Sequence, residues 1–292
     1  MRRSELLKTL KISCATVIFA AAGGANAHEL DAPRLVSVGG AVTEIIYALG
    51  AEDMLIARDT TSSFPEPATE LPDVGYMRAL SPEGLLSVRP DLILAEEGSG
   101  PPEMIEVMKA AEIGFVIIPN GLDSGGVVQK ILAVGEALHK EAEAEALAQS
   151  VGEDLERIAK VAAGIPLEDR KKVLFILSTQ GGRIMAAGAN SSASAIIEMA
   201  GGVNAISSFE GYKPVTDEAL LAAAPDIILM MDRGGDHALS DEKLFAMPAL
   251  SLTPAAANQQ VIRMDGLYLL GFGPRTAQAA TELSHALYGP EK

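Results

Sequence analysis

From Arg34 onward the chain alternates short runs of continuous aliphatics with segments whose apolar residues recur every three or four positions. "RLVSVGG" (34–40), "MLIARD" (54–59), "DLILAEE" (91–97) and "FVIIPN" (115–120) read as strands. "AVTEIIYALG" (41–50), "SPEGLLSVRP" (81–90) and "PPEMIEVMKAAEIG" (101–114) read as helices. Strands that are apolar at successive positions are buried on both faces, as in a parallel sheet with crossover helices. Gly39-Gly40, Gly50 and Gly114 fall at the turns between the two kinds of element.

A long helical region follows, from about Ser124 to Ala163, with a break near His139-Lys140. Its second half carries an apolar stripe at Ala144, Leu147, Val151, Leu155, Ile158 and Val161. The stripe is too short and too rich in alanine to sustain coiled-coil heptads, so this helix is expected to pack across other elements of the same chain. After Pro166 the alternation restarts with "KKVLFILS" (171–178), "SASAIIEMAGG" (192–202), "TDEALLAAAP" (216–225), "DIILMMD" (226–232), "VIRMDG" (261–266) and a final helix from about Arg275 to Leu287.

The second half repeats the first. Leu80–Ala95, "LSPEGLLSVRPDLILA", and Val215–Met230, "VTDEALLAAAPDIILM", share seven of sixteen residues, and "TEIIYALG" (43–50) is echoed by "SAIIEMAG" (194–201). Two repeats in the same order indicate duplication. The expected fold is α/β: two similar Rossmann-like lobes, residues 28–123 and 166–292, joined through a helical segment, 124–165, that includes a single long interlobe helix. Open parallel sheets bind ligands beyond the carboxyl ends of their strands, which places a ligand cleft between the lobes.

The first 27 residues read as an export signal: Arg2, Arg3, Lys8 and Lys11 precede the uncharged run Ile12–Ala22, and Ala25-Asn26-Ala27 is a small-x-small cleavage site. The run is far shorter than the roughly 20 residues that span a bilayer. Cys14, the only cysteine, follows Lys11-Ile12-Ser13, a poor lipoprotein-processing context, so a soluble periplasmic protein of the Gram-negative type is expected. Cleavage removes four of 23 basic and one of 39 acidic residues, leaving 19 and 38 and a net charge of −19. Such acidity argues against nucleic acid as a partner. Without a thiol the mature chain has neither disulfides nor cysteine chemistry.

Enzymatic signatures are missing: the sequence holds no G-x-x-x-x-G-K-[ST], no G-x-G-x-x-G after a strand, no G-x-S-x-G and no H-E-x-x-H. His28, His139, His237 and His285 are scattered, and only His237 follows a strand end, so a zinc or manganese carrier is not indicated. A hydrolase using the cleft would need a nucleophile–base pair that the sequence does not display.

The mature chain resembles the periplasmic substrate-binding proteins of the vitamin B12, siderophore and haem type. "VGYMRALSPEGLLSVRPDLIL" (74–94) and "LGFGPRT" (270–276) are most similar to the haem-binding members. The resemblance implies transport of haem b, as ligand rather than catalyst, to an ATP-binding-cassette importer in the inner membrane, downstream of an outer-membrane receptor. It also implies a monomer and no enzymatic activity. A ferric-siderophore or cobalamin carrier is the alternative on the same fold.

Tyr76 is the implied iron ligand. Ferric iron favours an anionic oxygen, and tyrosinate is an established haem ligand. A free phenol ionises near ~10, so ligation at neutral pH needs the iron or a neighbouring cation to favour the phenolate. Arg78 supplies that cation if the segment is extended, because residues i and i+2 of a strand share a side. Residue chemistry alone would leave Tyr76 a surface loop tyrosine and Arg78 a solvated charge; the resemblance puts ligation ahead. Tyr76 lies outside the repeated segment and is read as a position the duplication does not share.

The resemblance further implies that Arg233, after the strand at 226–232, holds a haem propionate, with Arg183 a weaker candidate for the same rim. Tyr268 is expected to face the ligand, and Met77, Met185, Phe245 and Met247 to form apolar wall, with core packing as the alternative. "GGRIMAAG" offers no histidine as a second iron ligand or for a second, stacked haem. Glu83 and Glu218 occupy the same position in the two repeats. Each suits a first helical turn by about 0.3–1 kcal/mol through the helix dipole. The resemblance implies that they also dock onto arginine pockets of the permease, one per lobe.

Overall fold

The computed structural model describes residues 33–232 and 239–290. The first lobe runs β1 (Leu35–Val38), α1 (Gly40–Ala48), β2 (Leu55–Arg58), α2 (Pro82–Ser87), β3 (Leu92–Glu96), α3 (Pro102–Ala110) and β4 (Gly114–Ile118). Its sheet has the order β2-β1-β3-β4 and is parallel throughout, as continuous aliphatic strands require. Gly39 makes the β1–α1 turn at φ 106°, and a Cβ there would fall 2.8 Å from the Cβ of Glu96. Only glycine meets both demands.

Two helices come next, α4 (Ser124–Leu138) and α5 (Glu141–Ala163). Asp123 caps α4 by accepting the Gly126 N–H at 2.6 Å, and His139, left-handed at φ 54°, ends it. The chain then reverses, so that Gly135 lies against Ala144 and Gly152 against Val128. The buried stripe of α5 is Ala144, Ala148, Val151, Leu155, Ile158 and Ala162, with Leu147 and Val161 at its margins. Alanines thus replace two of the expected larger residues on the innermost line.

The second lobe contains β5 (Lys172–Ser178), β6 (Met185–Ala187), α6 (Ser192–Met199), β7 (Val203–Asn204), β8 (Tyr212–Pro214), α7 (Asp217–Ala223) and β9 (Ile227–Asp232). It continues with α8 (Asp241–Phe245), α9 (Pro254–Ala257), β10 (Val261–Asp265), α10 (Gly266–Leu270) and α11 (Thr276–Tyr288). Its sheet has the order β10-β9-β5-β6-β8, with β7 also on β5; β10, β9, β5 and β7 are parallel, while β6 pairs antiparallel with both β5 and β8. The two-lobe α/β expectation holds, and the antiparallel β6 is the departure from it. Strands of two or three residues leave no periodicity to read.

The repeated Pro-Asp has one structural job in both lobes. Asp91 accepts the backbone N–H of Arg34 at 2.9 Å and Asp226 that of Lys172 at 2.8 Å, in each case at the start of the neighbouring parallel strand. The duplication also reaches further than the sequence alignment. Gly75 and Gly211 both have positive φ (103° and 71°), and their carbonyls accept the N–H groups of Thr60 and Gly188. Each precedes a tyrosine, Tyr76 and Tyr212, so the Gly-Tyr step is shared after all, offset by one residue. Tyr212 has a different fate: its hydroxyl is 2.8 Å from that of Ser192 and its ring meets Phe175 edge-on.

One buried cluster runs through both lobes, joining Leu35, Ile45 and Ile118 to Val151 and Leu155 of α5 and on to Phe175, Ile196 and Leu283. Smaller clusters fill the outer layer of each lobe.

Candidate ligand-binding cleft

The loop that carries Tyr76 is clamped to the end of β2. Asp73 pairs with Arg58 at 2.9 Å and accepts from the Gly75 N–H at 2.8 Å and the Thr60 hydroxyl at 3.1 Å. Backbone bonds from Val74 to Arg58 and from Thr60 to Gly75 continue the parallel pairing past the strand. Residues 76–79 then turn, closed by the Ala79 N–H on the Tyr76 carbonyl at 2.8 Å. The segment is therefore not extended, and the i, i+2 argument for Tyr76 and Arg78 does not apply. In the turn Met77 goes inward, 9% exposed, its sulfur 3.9 Å from the Thr61 hydroxyl, while Tyr76 and Arg78 both stay exposed. Tyr76 is 45% exposed, and among the described residues its hydroxyl has no hydrogen-bond partner.

Beneath this loop lies a floor of buried charge at the carboxyl ends of the first-lobe strands. Asp59 accepts four bonds, from the Gly39 and Thr61 N–H groups and the Thr61 and Ser62 hydroxyls, at 2.7–2.9 Å. Glu96, closing β3, lies 3.5 Å from the ammonium of Lys130, which also donates to Asn120 at 2.8 Å and to the Gly271 carbonyl at 3.2 Å. Burial raises the Glu96 pKa above its ordinary value despite the opposing pull of Lys130 and Arg78. Burial likewise lowers the pKa of Lys130 against the pull of Glu96 and Glu44.

Gly271 belongs to the segment after β10, through which the second lobe closes on the first. Leu267 packs on Gly40, leaving no room for a Cβ, and Gly273 packs on Ala41. Arg275 grips Glu44 with its Nε and Nη2 at 3.0 and 2.9 Å, while its guanidinium covers the ring of Phe64 at 3.5 Å and lies 5.1 Å from that of Tyr268. Strand ends of both lobes therefore converge on one seam.

The remaining expected site residues separate. Arg183 is exposed just before β6, and Met185 begins that strand, partly buried. Phe245 is 7% exposed within the second-lobe core, and Met247 packs against the same cluster. Both therefore take the core role. Tyr268 borders a cavity of about 410 Å³ between α5 and α11, with Arg157, Glu282 and His285 among its neighbours. Burial, followed by Glu282, raises its pKa. None of the other expected site residues lines that cavity. Arg233 and His237 lie outside the described residues. Glu83 and Glu218 are exposed in the first turns of α2 and α7, behind the caps Ser81 and Thr216. The Glu218 pKa is lowered by a hydrogen bond from its own backbone N–H, then by the Thr216 hydroxyl.

Sequence reading missed Glu44, Phe64, Glu96, Lys130 and Arg275. A glutamate inside the apolar run "AVTEIIY" was the available sign that something charged waits opposite α1.

The periplasmic binding protein family matches residues 35–267. The chain belongs to that family. Among solved structures, this binding protein is 39% identical to the periplasmic heme-binding protein BhuT in complex with two hemes, over 87% of this chain and 97% of that one, with a TM-score of 0.82. It is 35% identical to the periplasmic heme-binding protein RhuT from Roseiflexus sp. RS-1 in apo form, over 88% and 98%, with a TM-score of 0.83. The vitamin B12-binding protein of Vibrio cholerae is 27% identical over 259 residues, 88% of this chain and 90% of its own. Family and neighbours are substrate-binding transport proteins, so the chain is a binding protein and not an enzyme. No helix among the described residues is long and apolar enough to cross a membrane.

Proposed function

We propose that this protein binds haem in the periplasm and delivers it to an inner-membrane ATP-binding-cassette importer, as a step in iron or haem uptake. The observation that carries the reading is Tyr76: an exposed phenol with no hydrogen-bond partner among the described residues, on a loop braced by Asp73 at the strand ends where this fold binds ligands. The greater similarity to haem-binding structures than to the cobalamin-binding relative supports the same ligand.

In this reading Tyr76 ligates ferric iron and Arg78 favours the phenolate. Arg183, with Arg233 beyond the described residues, receives the propionates, and Met77 backs the Tyr76 turn. Glu83 and Glu218 face the permease. The protein leaves the cytoplasm with residues 1–27 as its signal and works as a monomer.

Hemin titration of the purified protein tests this directly. A shifted Soret band with the visible bands of ferric phenolate ligation is expected, and both should disappear in Tyr76→Phe. No shift in the wild type, or an unchanged spectrum and affinity in the variant, rejects the assignment. Cobalamin competes in the second reading, so displacement of bound hemin by a modest excess of cyanocobalamin would favour that relative's ligand instead.

A further inference from the structure

Phe64 is a large aromatic that the fold holds rigid and yet leaves 39% exposed. It sits on the loop that leaves the carboxyl end of β2, whose base is fixed by the four bonds to buried Asp59. That loop lies directly alongside the one carrying Tyr76. The Thr60 N–H reaches the Gly75 carbonyl at 3.0 Å, the Thr60 hydroxyl reaches Asp73 at 3.1 Å, and the Thr61 hydroxyl meets the Met77 sulfur. The guanidinium of Arg275 covers the ring at 3.5 Å, and Glu44 neutralises that guanidinium through two bonds. With its charge matched in this way, Arg275 is a brace for the ring rather than an anchor for an anionic ligand.

We propose that Phe64 is a specificity-determining wall of the cleft, presenting its free surface to the planar face of the transported macrocycle, with Arg275 and Glu44 as its positioning residues. The inference rests on the haem reading and adds to it a contact that selects for flatness. Aromatic rings stack in offset or edge-on arrangements because their faces carry negative charge. A cation against one face draws that density away, which eases the approach of a π-rich macrocycle to the remaining surface. Cobalamin, whose corrin has axial groups on both sides, gains little from such a wall.

The test uses the full mature protein with hemin and with gallium(III) protoporphyrin, a diamagnetic stand-in for the ferric macrocycle. Phe64→Leu keeps most of the apolar area but loses the ring, and hemin should dissociate from it about three- to tenfold faster. The Tyr76-ligated spectrum should stay unchanged. In ring-labelled protein, the Phe64 signals, identified by their loss in Phe64→Leu, should move upfield on addition of the gallium complex. Arg275→Lys should reduce that shift, because an ammonium cannot lie flat on the ring or hold Glu44 bidentately. Unmoved Phe64 signals under a normal Soret titration, or an unchanged off-rate in Phe64→Leu, would overturn the wall while leaving the haem reading intact. Absence of any Soret shift in the wild type would instead remove the haem reading, and the wall with it.

Discussion

Arg275 at the head of α11 holds Glu44 of α1 through two parallel hydrogen bonds of 3.0 and 2.9 Å, and the two residues stand on opposite lobes. Glu44 is 6% exposed, so its charge is matched only while the lobes stay together. Together with Lys130 on the Gly271 carbonyl, the pair makes the segment after β10 a second connection between lobes already joined through α5. From this geometry small lobe movements are expected.

Removing one member of the pair should therefore destabilise more than removing both. Arg275→Leu leaves Glu44 buried and unmatched, at about 2–3 kcal/mol, discounted because the arginine is partly exposed. The double variant Glu44→Leu/Arg275→Leu should recover part of that loss. Urea unfolding of the four proteins gives the coupling energy, and strictly additive losses would show that the pair does not couple the lobes.

Glu96 should make stability depend on pH in an unusual direction for a carboxylate. Its folded pKa is raised, so the native state holds the proton more tightly than the unfolded state does. The stability it contributes is fully present below the ordinary carboxylate value of 4.5 and is lost as pH rises through the raised folded value. The stability difference between wild type and Glu96→Gln should accordingly shift against the wild type from acid to neutral pH. Unfolding midpoints measured across that range would refute the idea if the difference grew in the wild type's favour.

On the proposed ligation of iron by Tyr76, Arg78 is expected to act by charge. Arg78→Ala should weaken hemin binding about tenfold and move the acid limb of the binding curve upward. Arg78→Lys should restore much of the affinity because the cation returns. Equal losses in both variants, without movement of the pH profile, would point to packing instead.

For Glu83 and Glu218, reversal of both charges to lysine should abolish stimulation of the importer's ATPase while hemin affinity stays constant. The fold should lose little stability at either site, since each side chain is exposed and acts locally on its helix start. Full stimulation by the double variant, measured with the reconstituted importer, would remove the docking role.

Much of the scaffold was legible because its elements write their period into the chain. The Pro-Asp steps at 90–91 and 225–226 show why: each aspartate ties down a neighbouring strand, so the same letters recur wherever that junction recurs. The break at His139-Lys140 was legible for a similar local reason. β6 to β8 were too short to show a pattern, and the Tyr76 turn was hidden because its conformation depends on Asp73 and Gly100, which no periodicity links to it. The seam was the least legible part: Glu44 and Arg275 are 231 residues apart, and only folding puts them in contact. Tyr212 was overlooked because a single-residue offset breaks the alignment just where the repeat continues.

The buried cluster that threads α5 draws on both lobes, and this settles what kind of object each half is. By topology each is a complete α/β layer structure; by burial neither closes its own core, because Phe175 and Leu283 on one side and Ile45 and Ile118 on the other belong to the same cluster. A half-molecule ending near Pro166 would carry an open apolar flank and associate rather than fold cleanly. The shared cluster predicts that the two copies of the repeat unfold together, in a single cooperative transition.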